Sequence, residues 1–445
     1  MIANRIGKIN FDYIFVFLIS FIPQIFAILI SPFLLMWDEY AYLDNVKHVL
    51  YNTPYFEYYR FPLLWWILIP VVMIVNFNIF AIKLFLVLIY SISVIFLFKI
   101  INNYGSGWKN YVLILSYSLN GIILFWGSKI YPDILATSFL TISIYFFYKY
   151  FNEKKEKDLI LYSLFSDLSI LSKYEYGLWL ISSIVFLNNK EKLKAITYSF
   201  LFALPYFIYN ILLYGNPIYI FIEQTTIIYE YTKYQPIKIF VISLLTFAGA
   251  YLFSFIQNPK KLNNFEKAIY LYSLISILFL GFFVKTKDFR YIMMTLPSLI
   301  ILTRIFIEKL KGLLLSYMLI FFVSTITSFI SGFLYLLSFT FDIGYSKLSY
   351  VYRATEDIIQ YNPKIILTNT IWPLVAYYTN SDVYILYNAT YQIPRVYPDF
   401  IIYSPNCGIP AEFDANRYNL SLIFIYTDPS GCKVYTYKVN SYDVK

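Results

Sequence analysis

Trp37-Asp38-Glu39-Tyr40 directly follows the first long apolar run, at the point where a membrane helix leaves the bilayer, and Pro32 stands just before it. A carboxylate at membrane depth is expensive, and an ionisable residue there is a functional candidate. Two adjacent ones, Asp38 and Glu39, flanked by Trp37 and Tyr40, suit proton transfer beside a stacking surface. The plainer reading makes Asp38 the cap of a following helix and leaves Glu39 in water. The rest of the chain decides between them.

Of the 445 residues, 59% are hydrophobic and only 14% are charged. The mean hydropathy is +0.61. Soluble domains carry about 25% charged residues, so this is a polytopic membrane chain. The net charge of +9 does not point to nucleic acid, because the basic residues fall in small groups between apolar runs. A span needs about 20 apolar residues. Eleven candidates result: 12–31, 79–99, 111–127, 133–149, 159–172, 177–187, 196–214, 236–256, 269–284, 291–307 and 313–340. The fifth and sixth are short and read equally as one broken element. The first run is long and no small-residue cleavage site follows it, so no cleavable signal peptide is expected.

Basic clusters orient the spans. Arg5 and Lys8, Lys99 and Lys109, Lys149 with Lys154, Lys155 and Lys157, Lys190 with Lys192 and Lys194, Lys260 with Lys261, and Arg304 with Lys309 and Lys311 all fall on one side. With that side cytoplasmic, the positive-inside rule holds throughout. The expected protein is an integral plasma-membrane protein. Its N-terminus is cytoplasmic, and the acidic stretch lies outside.

The first outer loop, 32–78, is long. Tyr42, Val46, Val49 and Leu50 recur at helical spacing, predicting an amphipathic helix along the membrane surface, with the lone His48 among its polar positions. Leu63 to Val75 predicts a short interfacial or re-entrant helix. The two expected domains are a transmembrane domain over 1–340 and a small α/β domain over 341–445. In the latter, strands are predicted at Lys364–Thr368, Val383–Tyr387, Phe400–Tyr403, Ser421–Thr427 and Lys433–Val439, with a helix at Trp372–Thr379 making a βαβ-like unit. This tail also holds two N-glycosylation sequons, at Asn388 and Asn419. Both cysteines, Cys407 and Cys432, fall there too. A disulfide suits an outer domain, though spacing alone does not pair them.

Several cations break the inside bias. Arg60 lies in the first outer loop and Lys129 before Tyr131-Pro132-Asp133; Lys173 follows Ser172, and Lys287 and Arg290 flank Asp288. Cations at an outer membrane face suit a phosphate, held bidentately by Arg and as a point charge by Lys. Outer loops that merely tolerate some Lys are the alternative for each residue alone. Carboxylates, phosphate-binding cations and aromatics together suit sugar transfer from a lipid phosphate. Glycine-rich nucleotide loops, HExxH and CxxC are absent, so no cofactor is expected, while a divalent metal stays open.

Several pieces also resemble, in order, the GT-C glycosyltransferases of the protein O-mannosyltransferase and aminoarabinose transferase type. Asp38-Glu39-Tyr40 is similar to their acidic signature. Arg60-Phe61-Pro62-Leu63-Leu64-Trp65-Trp66 resembles their Lys-Pro-Pro-Leu segment, and Ala81-Ile82-Lys83-Leu84 their Ala-x-Arg-Leu. Tyr131-Pro132-Asp133 is similar to the second acidic site, Ser172-Lys173 to a central Thr-Lys. Tyr214-Gly215-Asn216-Pro217 and the run from Arg290-Tyr291 to Pro297 also correspond. The chain departs in having one Pro, with Phe61 between it and Arg60, and in placing Glu57 three residues before Arg60. The resemblance implies a helix bundle of about eleven spans with a small outer α/β domain, and a polyprenyl- or dolichyl-phosphate sugar donor. The implied acceptor is a protein, lipid or glycan. It further implies Asp38 as base with Glu39 and Asp133 as catalytic partners, and Arg60, Lys129, Lys173, Lys287 and Arg290 on the donor phosphate. Trp37, Tyr40, Glu57 and Tyr131 would contact substrate. The competing readings are a transporter or flippase of lipid-linked sugars and a receptor-like membrane protein.

Overall fold

The structure is a computed structural model; it describes residues 11–31, 35–231, 234–310, 313–341, 343–386, 397–408, 418–427 and 431–442. The chain divides into two compact units.

The first unit comprises residues 1–29, 59–64 and 78–335. Its helices come from α1 (Phe11–Ile30), α4 (Ile79–Asn102), α5 (Trp108–Ser118), α6 (Gly121–Gly127), α7 (Pro132–Glu153), α8 (Glu156–Ser172), α9 (Gly177–Ile184), α10 (Asn189–Tyr214), α11 (Tyr219–Tyr231), α12 (Ile237–Ala248), α13 (Asn264–Phe282), α14 (Leu296–Lys309) and α15 (Leu314–Phe341). The intervening helices, α2 (Trp37–Tyr51) and α3 (Leu63–Val75), belong wholly or mostly to the second unit. Among the described residues, seven helical segments are long and apolar enough to cross a membrane: α1, α4, α7, α10, α12 with the 3-10 segment after it, α13 and α15. The pair α5 and α6, bent by 52°, passes the same test when taken together. The three remaining predicted spans fold as α8, α9 and α14, each shorter than a full crossing. The predicted fifth and sixth spans are separated by the 3-10 turn Tyr174–Tyr176.

Small residues let these helices approach. Ser143 of α7 bonds Ser166 of α8 at 2.7 Å and receives the Trp179 indole N–H at 2.9 Å. Apolar lipid gives no hydrophobic drive between helices, so such contacts carry the association. The tightest approach joins Gly121 of α6 to α15. A Cβ on Gly121 would lie 2.1 Å from the Ser328 carbonyl oxygen, and one on Gly332 would lie 2.1 Å from the Gly121 Cα.

The second unit comprises residues 30–58, 65–77 and 336–445. It includes α16 (Ile343–Ile359), β1 (Ile365–Thr368), α17 (Trp372–Thr379), β2 (Asp382–Ile385), β3 (Phe400–Tyr403), β4 (Tyr418–Thr427) and β5 (Lys433–Tyr442). The sheet order is β2-β1-β3-β5-β4. β1 runs parallel to β2 and β3, and β5 is antiparallel to β3 and β4. All five predicted strands and the predicted helix are present, and β1-α17-β2 is the expected βαβ unit. Leu367, Leu386 and Ile401 form the core of the sheet, with Tyr403, Tyr437 and Val439 against it. Cys407 and Cys432 are joined in a disulfide, with Cα atoms 5.8 Å apart. Asn419 is exposed on β4; the sequon at Asn388 lies outside the described residues.

One expectation is corrected here. The helix after the acidic stretch does not lie amphipathically on a surface. α2 is buried continuously from Glu39 to Val46, because α17 covers it; Val49, expected on the apolar stripe, is exposed instead. His48 is structural: Nδ1 lies 2.5 Å from the Thr53 carbonyl oxygen, and the ring packs on Phe56.

Candidate active site

The predicted site residues fall into two groups, one in each unit. In the first unit, Pro132 opens α7 and Asp133 sits in its first turn. That turn presents unpaired N–H groups and the positive dipole end, which favour a carboxylate. Asp133 is 1% exposed. Its Oδ1 lies 2.5 Å from Lys173 Nζ, and its Oδ2 has no hydrogen-bond partner among the described residues. Lys173 closes the C-terminus of α8, and its ammonium stands 4.3 Å from the centre of the Tyr291 ring. Burial disfavours its charge, but Asp133 and Glu175 more than compensate, so its pKa is raised.

Arg290 lies in the 3-10 segment Phe289–Met294, which Asp288 caps by accepting the Arg290 N–H at 3.0 Å. The Asp288 carboxylate also lies 3.3 Å from Arg290 Nε. The guanidinium rests among Trp126, Tyr131 and Tyr291, each ring centre within 5.6 Å, and remains partly open to solvent. An Arg over aromatic faces is weakly hydrated and preorganised for an oxyanion. Tyr131 is the extended residue before α7, and its ring meets Trp126 at 4.8 Å. Lys129 is buried 5.4 Å from the Phe125 ring centre. Arg60 stands over Tyr59, and its neighbour Phe61 packs on Tyr174, the residue after Lys173. Tyr131, Asp133, Lys173 and Arg290 are therefore brought together.

Lys287 is not part of this group. Only 1% exposed, its ammonium donates to the carbonyls of Leu280 at 3.0 Å and Gly281 at 2.7 Å, and also to that of Val284. These acceptors are at the C-terminal end of α13, where a cation suits the negative dipole end. In this structure the Lys287 ammonium caps that helix end.

In the second unit, Met36 rather than Asp38 caps α2. Glu39 folds back to accept the Met36 N–H at 2.8 Å and is fully buried. The two carboxylates thus divide: Glu39 closes the helix start, and Asp38, one residue earlier in the first turn, is partly exposed. Tyr40 is 0% exposed. Its hydroxyl accepts the Leu35 N–H, and its ring packs on Tyr377 and Tyr378 of α17. In this structure Tyr40 packs α2 on α17. Trp37 is partly open and meets Trp372 edge to face at 4.1 Å. Glu57 Oε1 accepts from the Tyr55 hydroxyl at 2.5 Å and the Trp372 indole at 3.2 Å.

A model of the dolichyl-phosphate-mannose-protein mannosyltransferase family matches residues 59–214. ArnT from Cupriavidus metallidurans bound to undecaprenyl phosphate superposes with a TM-score of 0.66 at 12% identity, over 98% of this chain and 99% of that one. This chain shares the fold of that protein. The apo state of the same ArnT matches at TM-score 0.64 and 11% identity, over 96% and 98%. A search of curated protein sequences gives no match.

Within this fold, some residues are not signalled by the sequence. Asp44 is buried on α2 beside Glu57. Burial pushes its carboxyl well above the ordinary range, while Lys47 opposes the shift, and Oδ2 has no hydrogen-bond partner among the described residues. Lys47 donates to the Tyr377 carbonyl and to Asn380. Trp372, Trp126 and Glu175 were equally hidden. Helical periodicity on α2 carried a signal for Asp44, since it falls between the apolar positions Tyr42 and Val46; burial on all sides of α2 erased the contrast.

Proposed function

We propose that the protein is a membrane glycosyltransferase that moves a sugar from a polyprenyl- or dolichyl-phosphate donor to an acceptor hydroxyl at the outer membrane face. The observation that carries this reading is Arg290, partly open on its aromatic floor beside the Asp133–Lys173 pair. The fold shared with a protein crystallised with undecaprenyl phosphate supports it, as does the match to a dolichyl-phosphate-mannose-dependent family.

In the proposed step, the acceptor oxygen attacks the anomeric carbon of the donor sugar. The bond between that carbon and the phosphate oxygen breaks, and the lipid phosphate leaves. A carboxylate takes the acceptor proton as the new glycosidic bond forms, and Asp38 is proposed for that role from its setting in the sequence. Arg290 and Lys173, with Lys129 and Arg60, stabilise charge developing on the departing phosphate. The energy comes from the donor bond. The sorting of basic clusters supports a cytoplasmic N-terminus and an outer location for 32–78 and 341–445.

Purified protein in detergent, given radiolabelled dolichyl- and undecaprenyl-phosphate sugars with protein, lipid and glycan acceptors, tests this. Transfer of label with stoichiometric release of lipid phosphate is the expected result. Movement of intact donor across a vesicle membrane without bond cleavage would replace the enzyme by a flippase.

A further inference from the structure

α13 carries a stripe at helical spacing that begins with a cation and continues apolar. Lys267 is followed on the same face by Leu271 and Leu274, then by Leu278 and Phe282. Leu274, Leu278 and Phe282 are exposed. At 1.5 Å per residue, Leu274 lies roughly 10 Å along the helix from Lys267.

A groove of about 440 Å³ opens against the first part of this stripe. Lys267, Tyr270, Leu271 and Leu274 form one wall. Phe186, just past the end of α9, lines it too, as do Pro259 and Lys260 of the short 3-10 turn before α13. Helices α9 and α13 are packed together, with the Trp179 and Tyr272 rings 5.5 Å apart. Both groove lysines thus belong to the N-terminal end of α13, and the leucines lead away from it.

The cationic end is fixed by its backbone. Asn258 caps the 3-10 turn, its Oδ1 accepting the Lys260 N–H at 2.9 Å, and buried Leu262 anchors the chain just beyond. Lys260 is exposed and Lys267 half-buried. Neither ammonium is paired with a carboxylate among the described residues. The neighbouring acid, Glu266, is engaged by its own helix, accepting the Asn263 N–H at 3.0 Å. Lys260 and Lys261 also form one of the basic clusters that mark the side read as cytoplasmic.

We propose that this groove binds one anionic phospholipid of the cytoplasmic leaflet. Its phosphate sits between Lys260 and Lys267, and an acyl chain runs along Leu271, Leu274 and Phe186. Lysine meets phosphate as a point charge, and basic pockets between membrane helices on the cytoplasmic side suit anionic headgroups. Lipid wets every outward apolar helix; what marks this place is a bounded groove with two cations at its end. A zwitterionic headgroup brings an ammonium of its own, which the lysines repel. The site is separate from the proposed donor phosphate at Arg290, which lies past the other end of α13, roughly 28 Å away along the helix.

The test titrates the full chain in detergent with dioleoyl phosphatidylglycerol and dioleoyl phosphatidylcholine, counting bound lipid by native mass spectrometry. Each lysine near an anionic lipid is worth roughly 5-fold in affinity. Wild type should therefore prefer phosphatidylglycerol about 30-fold, and Lys260→Gln with Lys267→Gln should abolish the preference. Either single variant should lose about 5-fold, and the singles carry the comparison if the double does not fold. Lys190→Gln with Lys192→Gln removes a basic pair at the start of α10, outside the groove, and should keep the preference. Equal loss in both double variants would assign the lipid to the basic surface as a whole and overturn the site. Leu274→Trp fills the groove without altering charge and should weaken phosphatidylglycerol binding; unchanged affinity there overturns the groove. Displacement of the lipid by an equal concentration of glycerol phosphate would make this a site for a free phosphate ester instead. No preference in wild type overturns the proposal outright and leaves the glycosyltransferase reading untouched.

Discussion

Lys173 Nζ stands 2.5 Å from Asp133 Oδ1, joining the C-terminus of α8 to the N-terminus of α7. Both groups are largely desolvated. Removing one partner of a buried pair leaves an uncompensated charge and costs about 3–5 kcal/mol, whereas replacing both by apolar residues is far milder. Lys173→Met should therefore lower the unfolding midpoint in detergent markedly, and Lys173→Met with Asp133→Leu should recover much of it. A double variant as unstable as the single one would show that the pair contributes through packing alone.

Arg290, partly open over aromatic faces, is the cation proposed to hold the donor phosphate. Arg290→Ala should reduce donor affinity or turnover about 5- to 150-fold, the loss of about 1–3 kcal/mol from an unpaired charge. Arg290→Lys should recover only part, since the ammonium lacks the bidentate fork. Donor kinetics read this directly, and wild-type kinetics in folded Arg290→Ala would remove the residue from the site.

The acidic pair separates by chemistry. Asp38→Asn keeps size and should cut transfer about 10²- to 10⁴-fold, the usual contribution of a general base, with the unfolding midpoint unchanged. Glu39→Ala should instead cost stability of about 0.5–2 kcal/mol, the scale of a lost helix cap. Activity and unfolding curves measured together distinguish the two. Wild-type transfer by Asp38→Asn would end its role as base.

Glu175, in the turn Tyr174–Tyr176, carries a pH signature. Burial raises its carboxyl above the ordinary 4.5, with Lys173 opposing. The folded chain therefore holds a proton that the unfolded chain has released. The stability contributed by this group is full below 4.5 and drains as pH rises through the raised value. Glu175→Gln has no proton to lose there. Its unfolding midpoint should gain on wild type as pH rises from below 4.5 towards neutrality. A difference independent of pH would contradict the shift.

Gly121 and Gly332 leave no room for a methyl group. Gly121→Ala drives a Cβ into the Ser328 carbonyl, so α6 and α15 must separate. Overpacking of this kind costs about 1–3 kcal/mol. Thermal unfolding of Gly121→Ala, beside Gly107→Ala, whose Cβ would meet nothing within 4 Å but whose φ is positive, reads the steric part apart from backbone strain.

Much of this architecture is written in local patterns. Alternation and turn residues mark β1, β3 and α17 because one face of each element is buried by its immediate neighbours. Apolar length marks the long helices, and out-of-place cations mark Lys173 and Arg290. What local pattern does not carry is what a distant segment brings. Glu39 and Asp38 are equivalent in sequence, and only the Met36 N–H separates them. Lys287 looks like any stray outer cation until the end of α13 reaches it. Trp372 lies over three hundred residues from Glu57, and no spacing rule connects them.

The burial of α2 against α17 also sets a timetable. Helix α2 ends at Tyr51 and its cover begins at Trp372. At synthesis rates of about 5–20 residues per second, roughly 15–60 s pass before that cover exists. Through this interval Asp44 and Asn45 wait without their native surroundings, while helix after helix enters the bilayer. The unit that carries the acidic stretch is thus begun early and finished last. A chain whose synthesis stops before Trp372 keeps its acidic helix uncovered.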